Sequence, residues 1–181
     1  MTRWSLGIDV GSTTVKAALL RTDSVLPERT VYARHRGAPL ATTRQLLATI
    51  VPADSELRSF VTGSGGRVLA ERWDAPYVHE VAAVAEAARR RHPAVRTIIE
   101  LGGLDAKLII FERDAEGQAF RTHVSMNDRC AAGTGVTIDR CLFRLGCSPE
   151  EARAIEYDPA VVRQISSKCG VFAETALVTL A

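Results

Sequence analysis

Two stretches of the sequence decide the fold: LGIDVGSTTVKAALL at residues 6–20 and IIELGGLDAKLIIF at residues 98–111. Each stretch has the pattern of a buried strand, a glycine turn and a returning strand, with an acidic residue just before the turn. Strand, turn and strand form a β-hairpin, which differs from the strand-to-helix step of Rossmann and Walker units. The repeat predicts two lobes of the same kind that face each other across a cleft.

The composition is typical of a folded, soluble chain. The sequence has 181 residues, of which 46% are hydrophobic and 24% are charged, so it can form one core or two small lobes. A net charge of +2 gives no indication of a nucleic-acid partner. No run approaches roughly 18 consecutive apolar residues, and the first ten residues lack a signal-peptide layout. We therefore expect a cytoplasmic protein with no membrane partner.

Hydrophobic periodicity predicts an α/β protein in which strands and helices alternate along the chain. The predicted strands are residues 5–10, 15–20, 29–35, 58–62, 95–101, 106–112 and 119–125. The predicted helices are residues 39–51, 67–73, 79–91, 133–145, a short helix after Ser148 and residues 170–181. Because Pro93 ends a helical pattern, we divide the chain into a first lobe at residues 1–93 and a second lobe at residues 94–181. The second lobe is expected to be incomplete, because the chain ends inside a predicted helix.

The glycine turns of the two hairpins have the chemistry of phosphate-binding loops. Backbone N–H groups and hydroxyls of such turns donate to phosphate oxygens, and an adjacent carboxylate can hold the hydrated Mg²⁺ that accompanies ATP. One turn alone could be a plain hairpin with a solvated lysine, but two such turns on opposed lobes can hold one triphosphate from both sides. The candidate nucleotide-binding residues are Gly11, Ser12, Thr13, Thr14 and Lys16 in the first turn and Gly102, Gly103 and Lys107 in the second, with Asp9 and Asp105 as candidate catalytic carboxylates.

Two of the four cysteines occupy the same unusual setting. Cys130 and Cys169 each come just before a predicted helix. The positive end of a helix lowers the pKa of a thiol and stabilises an anionic, thiolate-bound cluster. A cubane cluster needs four thiolates, which a two-fold dimer of such chains would supply. The residues alone leave open the alternative that both are small buried side chains, and Cys141 and Cys147 are expected to be so.

These motifs resemble the BadF/BadG/BcrA/BcrD ATPase family, part of the actin–Hsp70–sugar kinase superfamily. The resemblance covers nearly the whole chain. Besides the two hairpins, it rests on VTGSGGRVLAE at 61–71, HEVAAVAEAA at 79–88, MNDRCAAGTG at 126–135 and ISSKCGVFAE at 165–174. It implies a ribonuclease-H-like, actin/Hsp70-type ATPase fold of two lobes. It also implies that Gly133, Thr134 and Gly135 join the nucleotide site.

The resemblance further implies a redox function. Cys130 and Cys169 of two subunits would hold one four-iron–four-sulfur cluster per homodimer. ATP and Mg²⁺ would bind between the lobes, and hydrolysis would reorient the cysteine helices. A low-potential electron would pass from reduced ferredoxin or flavodoxin to a 2-hydroxyacyl-CoA dehydratase or a related reductase of the benzoyl-CoA type.

The sequence departs from the family pattern in two places. Leu104 stands where the family usually has glutamine or glutamate, and leucine cannot orient an attacking water. Glu80 is therefore a third candidate catalytic residue, although a solvated helix glutamate is an equal alternative. Family members also continue past the second cysteine helix into a segment that binds adenosine.

Two other functions remain open at this point. A small-molecule kinase of the same superfamily would need a substrate pocket and a general base, but neither Cys130 nor Cys169. A non-catalytic, truncated domain that dimerises through its cysteine helices would account for Leu104 and the early end of the chain.

Overall fold

The computed structural model describes residues 3–113, 120–127, 133–165 and 169–180. Within these ranges, seven strands and six helices alternate as the hydrophobic pattern predicts. The strands are β1 (Arg3–Val10), β2 (Thr14–Arg21), β3 (Arg29–Arg34), β4 (Glu56–Thr62), β5 (Thr97–Leu101), β6 (Ala106–Arg113) and β7 (Phe120–Met126). The helices are α1 (Pro39–Ile50), α2 (Gly66–Arg72), α3 (Glu80–Arg91), α4 (Gly135–Arg144), α5 (Pro149–Ala154) and α6 (Gly170–Leu180).

The first sheet has the strand order β3-β2-β1-β4. The pairing of β1 with β2 is antiparallel, which confirms the predicted hairpin, and β4 adds to the other edge of β1 in parallel. The register places Asp9 opposite Lys16 on β2 and opposite Thr62 on β4. The residues that begin and end the first glycine turn are therefore cross-strand neighbours of a four-stranded sheet.

One face of this sheet forms the main core. Alternation along β1 buries Leu6, Ile8 and Val10, and each fully buried aliphatic side chain contributes about 1.5–3 kcal/mol. Helices α1 and α2 contribute Ile50 and Leu69 to the same cluster. Because β1 is anchored on this face along its whole length, its other face carries the partly exposed Asp9 at a defined position.

The second sheet has the order β5-β6-β7. Its β5 begins at Thr97, two residues later than predicted, because the N–H of Val95 closes a turn on the carbonyl oxygen of His92. Strand β7 is joined to β6 through Asn127, whose side-chain oxygen accepts from the N–H of Ala106 at 2.6 Å. The turn expected between Asp114 and Gly117 lies outside the described residues.

The helices of the last third begin where backbone and capping chemistry allow. Helix α4 starts at Gly135 rather than at residue 133, because Gly133 has φ +78°, outside the helical region. Helix α5 begins with the capping box predicted from its sequence: Ser148 Oγ accepts from the N–H of Glu151, and the Glu151 carboxylate accepts from the N–H of Ser148.

The chain divides into two compact units. The first comprises Met1–Thr97 with Phe111–Phe120, and the second comprises Ile98–Ile110 with Arg121–Ala181. The boundary after residue 93 stays a prediction. In the described part of the chain, no helix combines the length and apolar character that crossing a membrane requires.

Candidate functional site: two glycine turns and a cysteine helix

The first glycine turn is closed by the N–H of Gly11, which donates to the carbonyl oxygen of Thr14 at 2.9 Å. Thr14 is buried, whereas Gly11, Ser12 and Thr13 are partly exposed. The segment that leads into α1 supports the turn, since His35 donates its backbone N–H to the Thr13 carbonyl oxygen at 3.1 Å. The turn is therefore rigid at its base and accessible at its tip, which suits a phosphate-binding loop.

Asp9 and Lys16 form an ion pair across this turn. Lys16 Nζ donates to Asp9 Oδ2 at 2.7 Å, and the two side chains keep 47% and 33% of their surface exposed. An exposed pair of this kind contributes less than about 1 kcal/mol to stability. The ion pair matters for position rather than for stability, because it holds one carboxylate and one ammonium group beside the glycine turn.

Another turn, at residues 63–65 after β4, lies against Asp9. Gly63 has φ +92°, and a Cβ atom there would lie 2.4 Å from both Asp9 Oδ1 and the Val10 carbonyl oxygen. The N–H of Gly65 donates to the same Val10 oxygen at 2.8 Å. The sequence analysis gave no role to these glycines. The sequence GSGG at residues 63–66 indicates a turn between a strand and a helix. It does not indicate that this turn contacts the first glycine turn.

The face of the first sheet opposite its core bears a cavity of about 690 Å³, whose walls include Asp9, Lys16, Phe60 and Thr62. The hydroxyl of Thr62 is buried without a hydrogen-bond partner among the described residues. Helix α3 contributes small residues to this cavity. Glu80 occupies the first position of α3, directly after its cap His79, and is partly buried. The catalytic role of Glu80 stays a prediction.

The second glycine turn repeats the first. The N–H of Gly102 donates to the carbonyl oxygen of Asp105 at 2.7 Å, and a Cβ at Gly102 would lie 3.0 Å from that oxygen. Asp105 is partly buried, and Leu104 is 46% exposed. The apolar side chain of Leu104 is therefore accessible at this turn.

Glu100 is a candidate site residue that the sequence analysis did not select. Lys107 Nζ lies 3.5 Å from Glu100 Oε1, and only 3% of the lysine side chain is exposed. The other oxygen, Oε2, is buried and has no hydrogen-bond partner within the described residues. Glu100 takes the place that Asp9 has in the first hairpin. Aligning the two hairpins residue by residue would have identified it.

The second turn is held by the segment that starts α4. The N–H groups of Gly135 and Val136 donate to the carbonyl oxygens of Gly102 and Gly103 at 3.0 and 2.8 Å. Thr134 is fully buried beside them. The structure thus brings Gly135, and Thr134 directly before it, to the second turn. The resemblance implies that Gly133, Thr134 and Gly135 join the nucleotide site. Their contact with a nucleotide stays a prediction.

Cys169 directly precedes α6, and its carbonyl oxygen accepts from the N–H of Ala173 at 2.9 Å. Its thiol is free and partly buried, so it fits one ligand position at the positive end of a helix. Cys130 lies outside the described residues. Cys141 and Cys147 are also free and partly buried. In the parts of the chain that the structure describes, no three acidic, histidine or cysteine side chains form a metal-binding group.

Comparisons with known proteins agree with this geometry. The family model described as "BadF/BadG/BcrA/BcrD ATPase family" matches residues 6–181. The (R)-2-hydroxyglutaryl-CoA dehydratase activating ATPase of Acidaminococcus fermentans is 28% identical over 181 residues, covering 99% of this chain and 68% of the relative.

Two solved structures are similar over almost the whole chain. The Acidaminococcus fermentans (R)-2-hydroxyglutaryl-CoA dehydratase component A has a TM-score of 0.74 at 28% identity, covering 98% of this chain and 68% of that one. The activator of the 2-hydroxyisocaproyl-CoA dehydratase from Clostridium difficile, solved with bound ADPNP, has a TM-score of 0.71 at 28% identity, covering 97% and 65%. The chain therefore spans about two thirds of the length of these relatives.

Proposed function

Because this chain belongs to the BadF/BadG/BcrA/BcrD ATPase family, we propose that it is the nucleotide-binding part of an ATP-dependent activator that passes a low-potential electron to a 2-hydroxyacyl-CoA dehydratase or a related reductase. The observation that carries the proposal is the repeated hairpin, in which an acidic residue and a lysine pair across each glycine turn. Relatives named as dehydratase activators, one of them solved with ADPNP, support the same reading.

The nucleotide would be held by main-chain donors of the two turns, with Lys16 opposite the phosphates. Mg²⁺ keeps several waters and uses one or two carboxylates besides phosphate oxygens. Asp9 and Glu100 suit this role, because each stands at the end of the strand that leads into a turn. The buried Oε2 of Glu100, which has no hydrogen-bond partner among the described residues, would gain one from a magnesium-bound water.

Hydrolysis would need a group that orients water toward the γ-phosphate. Asp9, Asp105 and Glu80 are the candidate residues, and Leu104 cannot act in this way because its side chain offers no donor or acceptor. We therefore expect ATP turnover to be slow compared with nucleotide binding. Slow turnover suits a protein in which the bound nucleotide mainly selects a conformation.

The redox centre of the proposal is a four-iron–four-sulfur cluster, which would supply one low-potential electron. Cys130 and Cys169 of two subunits would provide its four thiolates. The chain's own contribution is to present Cys169 at the positive end of α6, where an anionic cluster would be stabilised. Reduced ferredoxin or flavodoxin would be the donor.

The proposal is tested by anaerobic purification, reconstitution with iron and sulfide, and elemental analysis. About two irons per chain are expected, since four thiolates from two chains bind one four-iron cluster. The Cys130→Ser/Cys169→Ser variant should bind none, whereas the Cys141→Ser/Cys147→Ser control should bind as much as the parent. A parent that binds ADPNP with magnesium but no iron would leave the kinase alternative, which requires neither Cys130 nor Cys169.

A further inference from the structure

One helix, α4, contacts both the second glycine turn and α6, the helix that follows Cys169. At its N-terminal end, the N–H groups of Gly135 and Val136 donate to Gly102 and Gly103 of the turn. Further along, Arg140 and Arg144 bind Glu174 of α6. We infer that Glu174 is a positioning residue, which makes α4 and α6 move together and so transmits nucleotide binding at the turn to Cys169. This inference rests on the proposed function.

Glu174 is nearly buried, whereas the side chains of its partners Arg140 and Arg144 are 58% and 61% exposed. Only 10% of its side chain is exposed, and each carboxylate oxygen has its own arginine. Arg144 Nε donates to Oε1 at 2.9 Å, and an Arg140 guanidinium nitrogen lies 2.8 Å from Oε2. The two arginines are four residues apart, so they lie on one face of α4. The carboxylate thus joins two successive turns of α4 to one point on α6.

The position of Glu174 on α6 determines what the joint controls. Helix α6 begins at Gly170, directly after Cys169. Glu174 lies five residues beyond Cys169, which is about 7 Å along the helix axis. Ion pairs this close to the start of α6 fix the orientation of the first helical turn of α6. They therefore fix the position of the Cys169 thiol, which directly precedes that helical turn.

The ion pairs resist separation of the two helices for an electrostatic reason. If α4 shifted relative to α6, a buried carboxylate would lose its counter-charges, which is strongly unfavourable. The helices therefore move as one body when the second turn is displaced. A phosphate bound at Gly102 and Gly103 would displace the N-terminal end of α4, which is hydrogen-bonded to the carbonyl oxygens of these glycines. The displacement of α4 would then reach Cys169 through Glu174.

The test uses the metal-free protein with Cys169 as its single thiol, after Cys130→Ser, Cys141→Ser and Cys147→Ser. The rate at which Cys169 reacts with a disulfide reagent is measured with and without magnesium–ADPNP. We expect the nucleotide to change this rate by about fivefold or more, the lower end of typical coupling between sites. Glu174→Gln keeps the shape of the side chain but removes its charge. It should abolish the change while the ADPNP dissociation constant stays within about threefold.

Two further variants separate a positioning role from a structural one. Arg140→Lys/Arg144→Lys keeps both charges but loses the fork geometry of the guanidinium groups, so the response should fall without loss of the fold. Arg153→Gln, at an exposed ion pair on α5, is the matched control and should respond like the parent. If Glu174→Gln does not fold, the lysine variant decides. A Glu174→Gln variant with a lower melting temperature but an unchanged nucleotide response overturns the inference.

The outcomes also distinguish this inference from the proposed function. A parent that binds ADPNP but shows one Cys169 rate throughout overturns the inference and leaves nucleotide binding intact. If the parent does not bind ADPNP, both the proposed function and this inference are overturned. The presence or absence of iron has no effect on the assay, because the thiol is measured without a cluster.

Discussion

The two glycine turns follow one plan but hold their lysines differently. In the first hairpin Lys16 lies 2.7 Å from Asp9, and both side chains are substantially exposed. In the second, Lys107 lies 3.5 Å from Glu100 and is 3% exposed, while one glutamate oxygen has no partner among the described residues. The first ion pair is free to exchange partners with a ligand. In the second, only the lysine is buried, while the Glu100 side chain is 32% exposed, about as much as that of Asp9.

The two turns also differ in what supports them. The first is supported by glycines of the turn after β4, which belongs to the same sheet. The second is supported by the first turn of α4, a helix that continues to the Glu174 contact. The difference indicates that the first turn is fixed by its own sheet, whereas the second is bonded to a helix that can pass a displacement on.

The largest expected effect follows from the buried lysine. Lys107→Met should lower the free energy of unfolding by about 2–4 kcal/mol, because it removes the counter-charge of Glu100, whose side chain is 32% exposed and therefore partly hydrated. Lys16→Met, at the exposed pair, should cost less than about 1 kcal/mol. Urea denaturation measures both. The Glu100→Gln/Lys107→Met double variant should recover most of the loss, and equal costs for the two single variants would contradict the comparison.

Gly63, which supports the first turn, and Gly102, which lies in the second turn, should differ in their tolerance of a methyl group. Gly63→Ala should cost at least about 2 kcal/mol, because it combines a left-handed backbone with a Cβ overlap against Asp9. Gly102→Ala meets only the Asp105 carbonyl oxygen at 3.0 Å and should cost less. Thermal unfolding provides the measurement. A larger loss for Gly102→Ala would show that the second turn is the more rigid one.

Leu104 provides a gain-of-function test of the second turn. Leu104→Gln should raise the rate of ATP hydrolysis by about tenfold, or about 1.4 kcal/mol in activation free energy, because the amide can orient water. The ADPNP dissociation constant should change little, because neither side chain carries a charge. Phosphate release under single-turnover conditions measures the effect. Thr13→Gln, at the equivalent position of the first turn, is the control and should not accelerate hydrolysis.

The smallest expected effects concern two glutamates, one in each unit. Arg90, mainly through a side-chain hydrogen bond, lowers the pKa of Glu86 below its ordinary value of 4.5, and the backbone N–H of Ser148 does the same for Glu151. A lowered carboxyl pKa adds stability that is complete above the ordinary pKa and is lost as the pH falls through the lowered one. Glu86→Gln and Glu151→Gln should each flatten unfolding profiles in that acid range.

Salt separates the two glutamates. Added salt should weaken the contribution of Glu86, which depends on charged arginines, more than that of Glu151, which depends on neutral donors. Unfolding profiles at low and high ionic strength check the difference. Equal salt dependence would mean that Glu86 also acts mainly through neutral hydrogen bonds.

Much of the architecture could be predicted from the sequence because its signals are local. Alternation of buried and exposed residues along β1 predicts a strand, and Ser148 with Pro149 and Glu151 predicts the start of α5. The hairpins follow from glycine turns between two apolar runs. The predicted starts of β5 and α4 are wrong by two residues. A turn that ends at Val95 delays the start of β5, and the positive φ of Gly133 delays the start of α4.

By itself, the sequence determined the succession of elements, the two turns and the family. It also predicted that Asp9 and Lys16 flank the first turn and that Asp105 and Lys107 flank the second, since residues beside a hairpin turn are close in the chain. Only the tertiary structure decided that Gly63 touches Asp9, that Lys107 is buried against Glu100, and that Glu174 joins α6 to α4. These contacts either link residues that are distant in sequence or depend on how deeply a side chain is buried. Long-range contacts and burial are both set by packing in the folded chain, and no local sequence pattern predicts them.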